Sequence, residues 1–179
     1  MTSFYTEKEL LELGLKCFGK NVLISRKCSI YSPEKISIGD NVRIDDFCIL
    51  SGNTTLGSNI HIAAYCALYG VFDIEMEDYT GLSPRCTVFS ATDDFSGDYL
   101  ISPMVDKSKT NVTGGKILIK KYSQIGANTV ILPDVTIETG VAVGTMSLVN
   151  KSLKEWGIYI GIPVKRIKDR KKGLLKLVK

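Results

Sequence analysis

The chain has 179 residues, 44% of them hydrophobic and 23% charged, a composition that supports one compact domain spanning 1–179 and excludes a disordered chain. Its most apolar stretches, such as residues 141–149, are too short and interrupted to cross a bilayer, and no charged start leads into an apolar run. A soluble cytoplasmic protein without stable membrane insertion is therefore expected. The formal charge of +4 is concentrated in residues 165–179, where eight Lys or Arg face one acid, Asp169; the mildly acidic remainder lacks the broad basic, aromatic-interleaved face that nucleic-acid binding needs.

Thr6-Glu7-Lys8-Glu9 has the form of a capping box, followed by Leu10, Leu11, Leu13 and Leu15, which predicts a short helix over 6–16 inside an N-terminal cap of residues 1–21. Beyond it, aliphatic residues recur every six positions. They fall at Ile24 and Ile30, then Ile38, Ile44, Leu50, Leu56, Ile62 and Leu68, then Met76, Leu82 and Val88, and finally Ile119, Ile125, Ile131, Ile137, Val143 and Val149. The phase breaks by two residues before Ile38 and before Met76. A period of six fits neither a helix nor an ordinary strand. Small residues often follow one and four positions later, as in Ile125-Gly126-x-x-Thr129 and Val143-Gly144-x-x-Ser147, and permit tight corners.

Each hexad thus predicts one short strand and one bend, with three hexads per triangular coil and coils stacked at ~4.8 Å. The seventeen units give an all-β parallel solenoid of roughly six coils over 22–154. Residues 94–118, with Gly97, Pro103, Gly114 and Gly115, interrupt the hexads as a long protruding loop, the kind of excursion on which function concentrates. A C-terminal cap follows over 155–179, where Trp156 packs as part of the cap. Its basic tail, with Leu174, Leu175, Leu177 and Val178, is expected to form a short solvated helix; a membrane-surface helix or a phosphate clamp are the alternatives.

Cys28, Cys48, Cys66 and Cys86 each lie four residues after an aliphatic, at separations of 20, 18 and 20, which is one coil plus the two-residue insertion where one occurs. They are expected to stack as buried thiols in one corner column, and no metal site is predicted. His61 is the only histidine and cannot supply a three-histidine zinc site. It ends the hexad 56–61, which predicts a corner position, and histidine is the commonest general base near neutral pH.

The series Ile125-Gly126-Ala127-Asn128, Ile131-Leu132-Pro133-Asp134-Val135-Thr136-Ile137, Val143-Gly144-Thr145 and Gly161-Ile162-Pro163-Val164-Lys165-Arg166-Ile167 resembles the hexapeptide-repeat acetyltransferases, in the galactoside, maltose and surface-polysaccharide O-acetyltransferase branch. The resemblance covers about residues 36–168. It implies a left-handed parallel β-helix, a homotrimer with active sites between subunits, and transfer of an acetyl group from acetyl-CoA to a hydroxyl or amino group of a sugar or sugar nucleotide in surface polysaccharide biosynthesis. By matching motif positions, Ala127, Thr145, Asn150 and Lys165 contact the cofactor, and Lys151, Arg166 and Lys168 are candidates for its phosphates.

The galactoside branch carries its catalytic histidine at the end of a hexad beside the long loop. The matching hexad here, 88–93, ends in Asp93, followed by Asp94, and the branch's Asn-x-Asn segment falls near Ala63, Ala64 and Tyr65. Three mechanisms follow: His61 as base with an aspartate orienting the acceptor, Asp93 or Asp94 as base, or an acceptor amine attacking unaided. Asp93-Asp94 also has a local explanation, as a hydrogen-bonded turn before Ser96-Gly97. Tyr65, Tyr69, Phe72, Phe89, Phe95 and Tyr99 offer stacking surfaces for a pyranose or nucleotide, or serve only packing. A noncatalytic β-helix that binds a sugar or scaffolds an assembly is the reading from another class.

Overall fold

The computed structural model describes residues 3–178. It is a left-handed parallel solenoid of about seven turns whose three faces are built from the hexads. On the first face Phe18, Ile38, Leu56, Met76, Ile119 and Ile137 stand in register. Ile24, Ile44, Ile62, Leu82, Ile125, Val143 and Tyr159 do so on the second. The third face holds Ile30, Leu50, Leu68, Val88, Ile131 and Val149. The strands Ile49–Leu56 and Ala67–Met76 each run through a corner and join the third face to the first. There is one turn more than the hexads count, because Phe18 opens the stack, and Leu153 and Tyr159 close it.

Inward-facing aliphatics are almost wholly shielded: Ile24, Ile44, Leu50, Ile62, Leu68 and Ile131 have no exposed surface. Burial of each contributes about 1.5–3 kcal/mol, and the stacked coils satisfy one another's backbone groups. At the corners the chain repeatedly adopts positive φ. Asn21, Asn41, Asn59, Tyr79 and Tyr122 do so between the first and second faces, and Phe47, Tyr65, Arg85, Asn128 and Met146 between the second and third. Asparagine tolerates this conformation because its short side chain bonds locally; the aromatics there are less at ease.

The four cysteines form the expected column. Cys28 Sγ donates to the Asp45 carbonyl, Cys48 to Ala63, Cys66 to Ser83 and Cys86 to Gly126, at 3.1–3.2 Å, and Thr129 and Ser147 continue the column with bonds to the Gly144 carbonyl. All four thiols are free. The hydrogen bond with Cys48, together with burial, pushes the Cys28 thiol far above its ordinary range. At Cys48 and Cys66 the preceding thiol pulls down, but the next thiol and burial outweigh it, and both are pushed up to about 12. Cys28, Cys48 and Cys66 are inert packing groups, while the hydrogen bond with Cys66 outweighs burial at Cys86, the last of the column, and lowers its thiol. Among the described residues no group of His, Cys, Asp or Glu is arranged to hold a metal.

Three departures from the hexads appear. Pro33–Lys35 forms a 3-10 turn between Ile30 and Ile38, and residues 70–73 add a bulge between Leu68 and Met76. The long loop leaves between Val88 and Ile119, its base clamped by antiparallel pairing of Ala91 with Gly114 and Thr92 with Thr113. It is therefore shorter than 94–118, since Ile117–Ile119 is already a first-face strand.

Both ends differ in detail from expectation. The capping box is present, but the helix, α1, spans only Glu7–Glu12, because Leu13 caps it and Gly14 turns the chain away at a φ of 75°. The basic tail does not form the predicted helix. Lys165–Asp169 folds back antiparallel on Gly157–Ile160, and only a 3-10 turn, Gly173–Lys176, follows. The final strand edge would otherwise present unpaired backbone groups, and the hairpin covers it. Arg170 completes the closure: its Nη1 donates to the carbonyls of Tyr122 (2.6 Å), Gly140 (3.2 Å) and Val141 (3.3 Å). Among the described residues no helix is long and apolar enough to cross a membrane.

Candidate active site

His61 is the middle residue of the strand Ile60–Ile62, so alternation points its ring outward from the second face while Ile60 and Ile62 point in. It lies on a flat face, not at the predicted corner, because the bend falls immediately before the strand, at Asn59. Its Nε2 is 2.7 Å from Asp45 Oδ2, and Arg43 Nε donates to Asp45 Oδ1, also at 2.7 Å. Asp45 belongs to the preceding coil, where Arg43 pairs directly with His61 across the sheet. Burial pushes the Asp45 carboxyl upward, and the bonds from His61 and Arg43 overcome that and leave it below the ordinary aspartate value. The ring is fixed on one nitrogen by a carboxylate, and its side chain remains 56% exposed.

His61 opens onto a groove of about 270 Å³ lined by Asn59, Ala63, Thr80, Gly81, Leu82, Ser83, Pro84 and Gln124. The floor follows the second-face register, with a gap at Gly81: His61 pairs with Gly81, and Gly81 with Gln124. Ser83 holds its backbone in the coil stack, donating to the Ile125 carbonyl and accepting from Cys66 Sγ. Neither Asp45 nor Ser83 stands out in the sequence. Ser83 occupies the position after the aliphatic that small corner residues fill, and Asp45 becomes relevant only through the cross-coil register.

The two loop aspartates separate in role. Asp94 accepts from the Ser96 amide and from Asn111 Nδ2, both at 2.8 Å, and these bonds hold its carboxyl below the ordinary range. It ties the two sides of the loop together. Asp93 instead lines a concavity of about 590 Å³ with Ser102, Pro103, Val105, Lys107, Thr110 and Val112. Within one chain the third-face strand Thr87–Phe89 lies between Ser83 and Asp93, and His61 and Asp93 do not share a pocket.

The predicted cofactor residues lie on the last coils. Ala127 and Thr145 occupy successive second-face corners, with the Met146 amide donating to the Ala127 carbonyl. Gly126 is small for a reason other than ligand approach: a Cβ there would sit 2.6 Å from the Thr145 amide nitrogen of the next coil. Asn150, Lys151, Lys165 and Lys168 are exposed. Arg166 is engaged by the hairpin, bonding Asp169 at 2.8 Å and lying over the Tyr159 ring at 5.8 Å.

No protein-family model matches the chain. It is 39% identical over 178 residues to a dTDP-4-amino-4,6-dideoxy-D-glucose acyltransferase of Escherichia coli, covering 98% of this chain and 93% of that one. The chain belongs to the hexapeptide-repeat sugar acyltransferases. A solved structure of AntD, an N-acyltransferase from Bacillus cereus, in complex with dTDP and 3-hydroxybutyryl-CoA, is 54% identical to this acyltransferase with a TM-score of 0.96, covering 99% of this chain and 95% of that one. Other structures of that enzyme carry a replaced aspartate or a replaced serine, ten positions apart. A maltose O-acetyltransferase from Clostridium difficile shares the fold at 22% identity and a TM-score of 0.58, over 93% of this chain and 75% of that one. Membership of the family makes the chain an enzyme and removes the noncatalytic scaffold reading.

Proposed function

We propose that the protein transfers an acetyl group from acetyl-CoA to the amino group of a dTDP-linked 4-amino-4,6-dideoxy sugar. The observation that carries this reading is the near-complete match, at 39% and 54% identity, to two acyltransferases, one named for that sugar nucleotide and one solved with dTDP and an acyl-CoA. The sugar amine attacks the thioester carbonyl, an amide forms, the carbon–sulfur bond breaks, and CoA leaves as a thiolate. The amine must lose a proton in the process. Asp93, with an open carboxylate in its pocket, is the proposed acceptor of that proton, and Ser83 the hydroxyl that positions the substrate. Ser83 and Asp93 are themselves ten positions apart, the spacing of the replaced residues in the Bacillus enzyme.

The two residues face different concavities of one chain, so the proposed site is shared: the groove of one copy meets the loop of another in a homotrimer. His61, oriented by Asp45, lines the groove beside Ser83 and serves as a second polar contact for the acceptor. Ala127, Thr145 and Asn150 flank the pantetheine arm, and Lys151, Lys165 and Lys168, exposed and without an ion pair among the described residues, serve the CoA phosphates. A CoA thioester as donor supports a cytoplasmic site of action.

The test incubates the purified protein with dTDP-4-amino-4,6-dideoxyglucose and acetyl-CoA, following released thiol and the mass of the product. A gain of one acetyl group on the amine is expected. Activity only with longer acyl-CoA donors would overturn the acetyl assignment, and no thiol release with any amino-sugar nucleotide would overturn the reading.

A further inference from the structure

Along the corner between the second and third faces, successive coils present Lys27, Phe47, Tyr65 and Arg85. Phe47 and Tyr65 stack with ring centroids 5.0 Å apart and an interplanar angle of 24°. Lys27 Nζ lies 5.3 Å from the Phe47 ring, and the Arg85 guanidinium 5.7 Å from that of Tyr65. The two rings are 47% and 54% exposed and sit at φ of 61° and 64°. The corner between the first and second faces meets the same backbone demand with asparagine at Asn21, Asn41 and Asn59 and with tyrosine at Tyr79 and Tyr122, so the turn itself does not require a bulky ring.

Charge distinguishes this ladder from the molecule's other ring pairs. Lys27 is paired with Asp46 at 2.9 Å, but among the described residues the Arg85 side chain has no ion pair or hydrogen bond. Beside the stacked Tyr79–Tyr122 pair, the neighbouring Lys121 is already held by Asp78 at 3.3 Å. Among the described residues the Tyr69–Phe89 pair has no cation over it. The ladder also borders the candidate groove, since Tyr65 and Arg85 each follow by two positions a groove residue, Ala63 and Ser83, and Phe47 follows Asp45, the partner of His61.

We propose that this corner is the platform for the nucleoside diphosphate of the acceptor: Arg85 swings off the outer face of Tyr65 to hold the diphosphate, and the base stacks on the face it leaves, with Phe47 backing Tyr65 from beneath. The assignment rests on the sugar-nucleotide reading above. Two coil steps, ~10 Å, separate Phe47 from Arg85, the scale of a nucleoside diphosphate, and a ligand laid along the edge projects its sugar over the groove toward His61 and Ser83. Base–aromatic stacking gives affinity with little sequence demand, and an unpaired guanidinium supplies a bidentate grip on phosphate.

The test is calorimetric titration of the intact protein with dTDP and, separately, with CoA. Tyr65→Asn and Phe47→Asn remove the ring while retaining a residue type that the neighbouring corner already uses at positive φ. Each is expected to weaken dTDP binding about 5- to 100-fold. Arg85→Gln is expected to weaken it about tenfold or more and to flatten its salt dependence. CoA affinity should stay at the wild-type value in all three. Wild-type dTDP affinity in Tyr65→Asn and Arg85→Gln overturns the platform and leaves the sugar-nucleotide reading standing. A wild-type protein that binds CoA but shows no saturable dTDP binding overturns the reading itself. Equal loss of CoA and dTDP affinity indicates general damage and overturns the assignment of these side chains.

Discussion

Replacing Asp45 by asparagine keeps the shape of the side chain while removing the charge that anchors His61 and Arg43. Its carboxylate side chain is only 19% exposed, but the two partners are 56% and 55% exposed, so each bond belongs to the surface regime of about 0.2–1 kcal/mol. The two together are worth about 1 kcal/mol, or a fall of about 2–4 °C in Tm for a domain of this size. Because the folded carboxyl lies below its ordinary value of 3.8, the native state favours the charged form. That contribution is complete above pH ~4 and is lost as pH falls through the lower folded value. Thermal melts of wild type and Asp45→Asn should therefore differ at pH 7 and converge at the acid end. Identical melting at pH 7, or a gap undiminished at low pH, would refute the anchoring argument. Turnover supplies a second readout: if Asp45 orients His61 against the acceptor, the variant loses about tenfold in kcat/KM for the amino sugar with CoA affinity intact.

Asp93→Asn should lower kcat about 100-fold or more, whereas Asp94→Asn should chiefly loosen the loop, seen as faster proteolysis between residues 94 and 111; equal losses of kcat in the two variants would contradict their separation. Lys165→Ala should weaken CoA binding about tenfold without lowering Tm, and Arg166→Ala should do the reverse because its guanidinium braces the hairpin; titration and melting of both decide it. Gly126→Ala forces a Cβ to within 2.6 Å of the Thr145 amide nitrogen, and backbone cannot swing aside as a side chain would, so a stability loss of about 1–3 kcal/mol is expected in urea unfolding. A wild-type midpoint would show that the coils can separate locally.

The hexad spacing carried the fold because one inward residue per face is the whole code of a triangular coil, and the cysteine column followed from the same arithmetic. Handedness came from family likeness alone, since nothing in the period distinguishes left from right. The tail was misjudged because its mixture of Leu, Lys and Arg suits a helix. What decides its form is the unpaired edge of the last coil, a demand visible only once the solenoid exists. His61 draws attention by its chemistry, and the structure moves it from the hexad corner to a flat face; Asp45 and Ser83 do not stand out in the sequence because what they touch depends on which residue the next coil places beside them. Asp94 shows the limit most plainly, since as a neighbouring carboxylate it is indistinguishable from Asp93 until the bonds to Ser96 and Asn111 are seen.

The 3-10 turn at Pro33–Lys35, the bulge at 70–73 and the long loop all leave the solenoid after a third-face strand and return on a first-face strand. Two edges of the prism are therefore locked, because an added residue there would throw the thiol column or the asparagine column out of line in every later coil. The remaining edge works as an expansion joint. Length gained there is absorbed before the next inward residue, so a lineage of such chains is free to lengthen, shorten or reshape what projects from this one ridge. The loop that carries Asp93 is the largest such outgrowth, and the scaffold beneath it needs no adjustment when the outgrowth changes.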